Sequence, residues 1–252
     1  MNRKERLRCA RNYCVFYGSS RVEQLSQYEL VILEPLGHSA EEIKQLKDSG
    51  TLVVAYLSVM EVPRESEQCN LLDEDDFLKA NNQFLMNSAY DTYLVDIRSK
   101  KWNAILEQTI SQLINNSGYD GIFLDTIGDA EWDEIPIESR YSILWAAVNF
   151  VQRTRARFDE NILIQNNGLG ILCEYTSPYI DGICWENPKF TGREDCRWSK
   201  AVVKRLQGLR KRYKLKILFL VEGKCDFSFK IAKKNGFLLY NAPFQYTDLI
   251  YK

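Results

Sequence analysis

Two carboxylates stand at the ends of otherwise apolar, strand-like runs: Asp125 closes Tyr119-Asp-Gly-Ile-Phe-Leu-Asp, and Glu186 closes Tyr179-Ile-Asp-Gly-Ile-Cys-Trp-Glu. Two acids delivered this way suit the cleavage of a glycosidic bond, where one carboxyl protonates the leaving oxygen and the other attacks or activates water. The simpler reading of either residue is a strand-end acid that caps the next helix. A retaining mechanism requires the pair about 5 to 5.5 Å apart, a condition only the fold can meet. Trp185 precedes the Glu, but alternation along a strand sends it to the opposite face, so any desolvation of Glu186 must come from elsewhere.

Other chemistry is restricted by composition. The single histidine, His38, rules out a multi-histidine metal centre, and a Ser-His or Cys-His nucleophile would have to recruit that one residue. His38 itself follows a strand beside a helix cap and is expected to be exposed. Seven cysteines are scattered without a CxxC pair, which predicts reduced, mostly buried thiols and neither a disulfide framework nor a zinc site. Asp125-Thr-Ile-Gly-Asp129 lacks the spacing of a calcium loop, so no metal and no cofactor is expected. A net charge of −1 gives no pull toward nucleic acid or anionic membrane. No apolar run reaches the roughly 20 residues of a membrane span, and the polar start is unlike a signal peptide, so the chain as written is expected inside the cell.

The elements that must position the acids are legible as eight runs rich in β-branched and aromatic residues. They are Tyr13 to Tyr17, Leu30 to Glu34, Leu52 to Leu57, Gly121 to Asp125, Ile162 to Asn166, Gly182 to Glu186, Lys216 to Val221 and Phe237 to Tyr240. Amphipathic segments lie between them: Ser39 with Glu42 forms a capping box and Gly50 a stop, while Asn103 to Asn115, Tyr141 to Phe158 and Lys200 to Tyr213 carry helical spacing. At 252 residues this predicts an α/β fold, one domain over 1–252 forming a (β/α)8 barrel, with strand ends converging on one rim. The interval from Val59 to Lys101 is too long for a plain loop and reads as an insertion on that rim, with an extra strand at Tyr93 to Arg98 and a polar, mobile stretch from Glu65 to Asp76.

Around the acids, several residues have side chains suited to sugar. Glu61, just past the third strand, and Glu222, after the seventh, can accept hydrogen bonds from hydroxyls, or equally serve in ion pairs. Asn166 offers an amide, although Asn-Asn-Gly is also a turn sequence. Tyr17, Tyr56 and Tyr240 lie at or near strand ends, where a ring can pack on a sugar face or in the core. Arg64 reads as ordering its loop, and Asp120 and Asp181 as structural groups at the opposite face of the barrel.

Taken in order, Tyr17-Gly18, Ala55-Tyr-Leu-Ser-Val-Met-Glu61, Tyr93-Leu-Val-Asp96, Tyr119 to Asp125, Gln165-Asn-Asn-Gly168 and Asp181 to Glu186 resemble glycoside hydrolase family 114. That family contains endo-α-1,4-polygalactosaminidases. The resemblance implies a barrel that hydrolyses α-1,4-linked galactosamine or N-acetylgalactosamine polymers with retention, Asp125 being the nucleophile and Glu186 the acid/base. An oligo- or polysaccharide is then the partner. Members usually read Ser-Val-Gly-Glu where this chain has Met60, often carry an Asp-Tyr-like pair where it has Glu222-Gly223, and are commonly exported. Two other classes stay open: a non-catalytic sugar-binding barrel, and a lyase or isomerase, the latter disfavoured because no Gly-rich phosphate cradle follows the last two strands.

Overall fold

The computed structural model describes residues 1–190, 193–223, 225–243 and 246–249, with 193–195 described by backbone alone. Eight parallel strands follow one another in chain order: β1 Cys14–Phe16, β2 Leu30–Leu33, β3 Leu52–Ser58, β4 Gly121–Asp125, β5 Ile162–Asn166, β6 Gly182–Glu186, β7 Lys216–Glu222 and β8 Leu238–Ala242. All pair with their sequence neighbours, and β8 returns beside β1, where Tyr240 and Tyr13 stack with ring centroids 5.8 Å apart. This is an α/β barrel with helices around a parallel sheet.

The near-continuous hydrophobicity of the strands follows from burial on both faces. Inward residues fill the barrel; outward ones such as Trp185 and Phe219 pack beneath the helix Arg193–Tyr213 and against Phe190 and Phe237. Helix Ala40–Asp48 begins at the expected capping box, Glu42 N donating to Ser39 Oγ and Ser39 N to the Glu42 carboxylate, and Gly50 follows at φ 91°. Helix Lys100–Ser111 widens into a looser turn over Gln112–Asn116, and Ile137–Arg157 starts one turn earlier than its apolar spacing suggests.

The two Asp-Gly motifs hold the floor. Asp120 accepts from the Val53 amide of β3 and pairs with Arg3 and Lys47; Asp181 accepts from the Leu163 amide of β5 and pairs with Arg155. Each acid thus ties the entry of its own strand to the backbone of a neighbour. The glycine beside it permits the approach: a Cβ at Gly121 would stand 2.1 Å from the Ile162 carbonyl oxygen. Helix Arg3–Cys9, which carries no strand-helix signature, contributes Arg3 to this floor and buries Leu7.

The insertion after β3 forms a three-stranded antiparallel sheet of Glu61–Pro63, Thr92–Leu94 and Met86–Asn87 plus a small hairpin, Lys79–Ala80 with Gln83–Phe84. The rings of Phe77, Phe84 and Tyr93 form its own apolar cluster. The stretch expected to be mobile instead folds into short helical turns at Glu67–Asn70, capped by Ser66, and Glu74–Asp76. Two further expectations are corrected. Only three cysteines, Cys14, Cys173 and Cys184, are buried, because the others lie on helix or loop surfaces. His38 is half-buried against Phe16, with both ring nitrogens shielded and its pKa lowered by burial. Among the described residues, no helix is long and apolar enough to cross a membrane, and no cluster of three or more metal-ligating side chains occurs.

Candidate active site

Asp125 and Glu186 end β4 and β6, and Asn166 ends β5 between them. Its side-chain amide donates to both acids at once, 2.6 Å to Asp125 Oδ1 and 3.0 Å to Glu186 Oε2. The two carboxylate oxygens can therefore be no farther apart than those bonds laid end to end. That bound, on the one oxygen of each acid that faces Asn166, brings the two carboxyl groups close enough to act on a single glycosidic bond.

The strand ends are held by a repeated device. The residue after each of these three side chains has left-handed backbone: Thr126 at φ 55°, Asn167 at 52° and Asn187 at 46°. This turn drives the chain sharply off the strand and leaves the preceding side chain projecting from the rim. The turning residue then uses its own side chain as a pin: Asn167 Oδ1 accepts from the Glu186 amide at 3.1 Å, and Asn187 Oδ1 from the Glu222 amide at 2.9 Å. Thr126 Oγ1 accepts from the Val59 and Met60 amides at 3.0 and 2.8 Å, fixing the start of the insertion beside Asp125. Asn tolerates this conformation; a β-branched Thr does so only when its surroundings enforce it.

Tyrosines close the mouth. Tyr17 packs on Tyr56 and Tyr246, with ring centroids 4.9 and 5.2 Å away. The Tyr246 hydroxyl donates to Glu186 Oε1 at 2.5 Å, and the Tyr56 hydroxyl hydrogen-bonds the Asp125 carboxyl. Both phenols are pushed well up by burial and by the acid each faces, so they remain donors at any ordinary pH. The Asp125 carboxyl is raised to about 6, first by burial and then by the Glu186 charge, against the opposing effects of Asn166, the Thr126 backbone and Tyr56. It is ionised at neutral pH but with little margin.

A second acid pair lies behind the first. Asp129 faces Glu61, and burial together with the Glu61 charge holds its pKa far above the ordinary carboxylate range. Glu61 already accepts from Asn87 Nδ2 at 2.9 Å and from the Thr92 hydroxyl, so the shared proton belongs on Asp129, which donates it to Glu61.

The residues singled out in the sequence are distributed as follows. Asp125, Glu186, Asn166, Tyr17 and Tyr56 converge, and Glu222 stands half-buried at the end of β7 within electrostatic reach of Tyr246. Two candidates for sugar contact are placed elsewhere. Glu61 is 7% exposed with its oxygens committed to the insertion and Asp129, so it anchors the hairpin. Tyr240 is 6% exposed and packs on Tyr13 and Tyr28 in the core, because β8 continues to Ala242 and leaves it mid-strand. Arg64 pairs with Asp91 and covers the Tyr93 ring. Sequence reasoning missed Tyr246 and Tyr90, an exposed ring on the insertion close enough to feel the charges of Glu186, Glu222, Asp125 and Glu61. Neither lies in a strand or motif; only the density of aromatics near rim loops hinted at them.

Comparison with known proteins agrees with this architecture. The glycoside hydrolase domain of PelA from Pseudomonas aeruginosa superposes with a TM-score of 0.80 over 95% of this chain and 97% of that one, at 18% identity. Ega3 of Aspergillus fumigatus, solved in complex with galactosamine, gives 0.63 over 91% and 90% at 11% identity. At such identities the likeness establishes the fold alone. An uncharacterized protein of Thermotoga maritima is 29% identical over 149 residues, a match that takes in 54% of this chain and 43% of that protein's length. The model of glycoside-hydrolase family GH114 matches residues 11–207, a span running from before β1 to beyond both acids: the chain belongs to that family.

Proposed function

We propose that the protein is a retaining, endo-acting glycosidase cutting α-1,4-linked galactosamine or N-acetylgalactosamine polymers. The observation that carries the reading is the one amide of Asn166 hydrogen-bonded to both acids, which supports a two-carboxylate site acting on one glycosidic bond. With one proton shared between the two acids, Asp125 in its ionised form attacks the anomeric carbon while Glu186 gives its proton to the departing oxygen. Asp125 then leaves as a water molecule, deprotonated by Glu186, adds to the same carbon and restores both groups. Asn166 keeps the acids in register, and the Tyr56 and Tyr246 hydroxyls steady the oxygens not in use. Tyr17, Tyr56 and Glu222 line the path of the sugar. Family membership supports glycosidase chemistry, and the galactosamine bound to Ega3 supports an amino sugar as substrate.

Turnover of galactosamine-containing oligosaccharides by the purified protein tests this, alongside Asp125→Asn and Glu186→Gln. Loss of turnover in both variants and a first product of retained α-configuration, followed by proton NMR, are expected. Full residual activity in both, or an inverted product, would sink the mechanism.

A further inference from the structure

The net charge of −1 is a sum that conceals a division. The neighbouring helices Arg193–Tyr213 and Asp226–Asn235 carry eleven lysines and arginines against three acids, which gives +8 there and −9 over the rest of the chain. The three acids, Glu194, Asp195 and Asp226, all belong to first turns, and from Cys196 onward the longer helix has none. We infer that this flank of the barrel docks on an anionic phospholipid membrane, its lysines against the headgroups and Phe227 and Phe229 entering the interface beside them. The expectation of no pull toward a membrane follows from the sum of the charges and not from their placement. The inference is independent of the hydrolysis proposed above.

Three observations carry it. First, the cations share one outer face. Arg197, Lys200, Lys204, Gln207 and Lys211 recur at three- and four-residue spacing and are exposed, while Val202 and Leu206 of the same helix are buried. Gln207 donates to the Asn235 side chain and Arg210 to the Asn235 carbonyl, the latter at 2.6 Å, which sets the shorter helix alongside with its exposed Lys230, Lys233 and Lys234. Arg205 is taken by Glu174, but Lys200, Lys204, Lys211, Lys230, Lys233 and Lys234 form no ion pair among the described residues.

Second, large apolar rings stand among these cations. Phe227 is 63% and Phe229 53% exposed in the first turn of the shorter helix, whose Ser228 and Ala232 are buried against the barrel. Lys230 Nζ lies 5.9 Å from the Phe227 ring centre. A helix that rests in a lipid interface has this composition: its rings dip below the headgroups while lysine stems run alongside and carry their ammonium groups up to the phosphates.

Third, the kind of cation selects the partner. Beside these six lysines the exposed arginines of the two helices are Arg197, Arg210 and Arg212. Lysine is a compact point charge suited to a diffuse anionic surface, whereas a face that reads the phosphates of a nucleic acid one by one favours the arginine fork. A cluster of about four to eight such residues on an amphipathic helical surface is the size of an anionic-lipid site. The remaining charge of the chain is negative and is repelled by the same membrane, so one orientation is favoured. The two helices run along the outside of the barrel, and docking through them lays it on its side with the rim of Asp125 and Glu186 opening along the bilayer surface.

The test is co-sedimentation of the whole protein with vesicles of phosphatidylcholine alone or of phosphatidylcholine and phosphatidylserine mixed about 7:3. Partitioning onto the mixed vesicles is expected to exceed that onto phosphatidylcholine by about tenfold or more and to be reversed by salt. Lys200→Ala, Lys204→Ala and Lys211→Ala combined should weaken it on the order of a hundredfold, about fivefold for each lysine. Phe227→Ala with Phe229→Ala should weaken it about tenfold and leave the salt dependence in place. All five side chains are exposed, so melting temperatures of both variants should match the parent and show that each has folded. Equal partitioning onto both vesicles, binding to neither, or binding unchanged in the lysine variant overturns the inference. So does retention on a DNA fragment, or salt-reversible self-association, by a protein that leaves the mixed vesicles unbound.

Discussion

Replacing Asp125 by Asn should make the protein more stable while disabling it, and should do so only above a definable pH. The folded protein raises this carboxyl from 3.8 to about 6, chiefly by burial and the Glu186 charge. The sign follows directly. Below about pH 4 folded and unfolded chains both hold the proton, so the position contributes no penalty. As pH rises toward 6 the unfolded chain releases its proton while the folded one keeps it, and stability falls; above 6 the penalty is constant. At about 1.36 kcal/mol per pH unit, the gap between 3.8 and about 6 corresponds to about 3 kcal/mol, a ceiling because water at the rim end of the strand screens part of it. Asn keeps an acceptor for Asn166 and removes the charge. Each kcal/mol moves Tm by roughly 2 to 4 °C in a domain of about this size, so a rise of several degrees at pH 7.5 is expected, shrinking steadily toward pH 4.5. Urea or thermal unfolding of both proteins across that window measures it. A difference that is flat with pH, or a variant less stable at pH 7.5, refutes the claim that the fold holds this acid against its charge.

On the proposed mechanism Asp125 must be ionised to attack while Glu186 keeps its proton; with the Glu186 charge absent, the acid limb of kcat/KM should fall about tenfold per pH unit from a point lower than about 6. Asn166→Ala removes a donor from both acids, each such charged hydrogen bond contributing about 1.5 to 3 kcal/mol; kcat should drop at least tenfold and the acid limb should move to higher pH. Asp129→Asn should preserve the contact with Glu61 and flatten the decline in stability as pH rises from about 4 to about 9, whereas Asp129→Ala should lower stability by about 1 to 3 kcal/mol, both read from melting curves. Arg155→Ala leaves the shielded Asp181 carboxylate without its cation and should cost about 3 kcal/mol in urea unfolding with little change in KM.

The barrel was legible because strands buried on both faces must be almost continuously apolar, and the two acids were legible because a charge closing such a run has nowhere to go but the rim. Side chains that depend on distant partners were not. Glu61 is rim-like in sequence, yet its oxygens are taken by Asn87 and Thr92, residues a separate hairpin folds back over it. Tyr240 reads as a strand end until β8 proves two residues longer. Tyr246 reaches Glu186 from beyond the last strand, a position without periodicity to reveal it. The strand pattern gives no reason for a glycine at the start of β4, whereas Gly121 is dictated by the backbone of the adjacent strand.

The pins at Thr126, Asn167 and Asn187 all act within one residue of a strand end and grip an adjacent strand or the segment just leaving it. Apart from the segment that brings Tyr246 to Glu186, what lies farther out along the connecting segments takes no part in these pins. Such a rim should accept transplanted or lengthened loops as interchangeable parts, so that new polymers can be accommodated by swapping the periphery while the cutting tool stays calibrated.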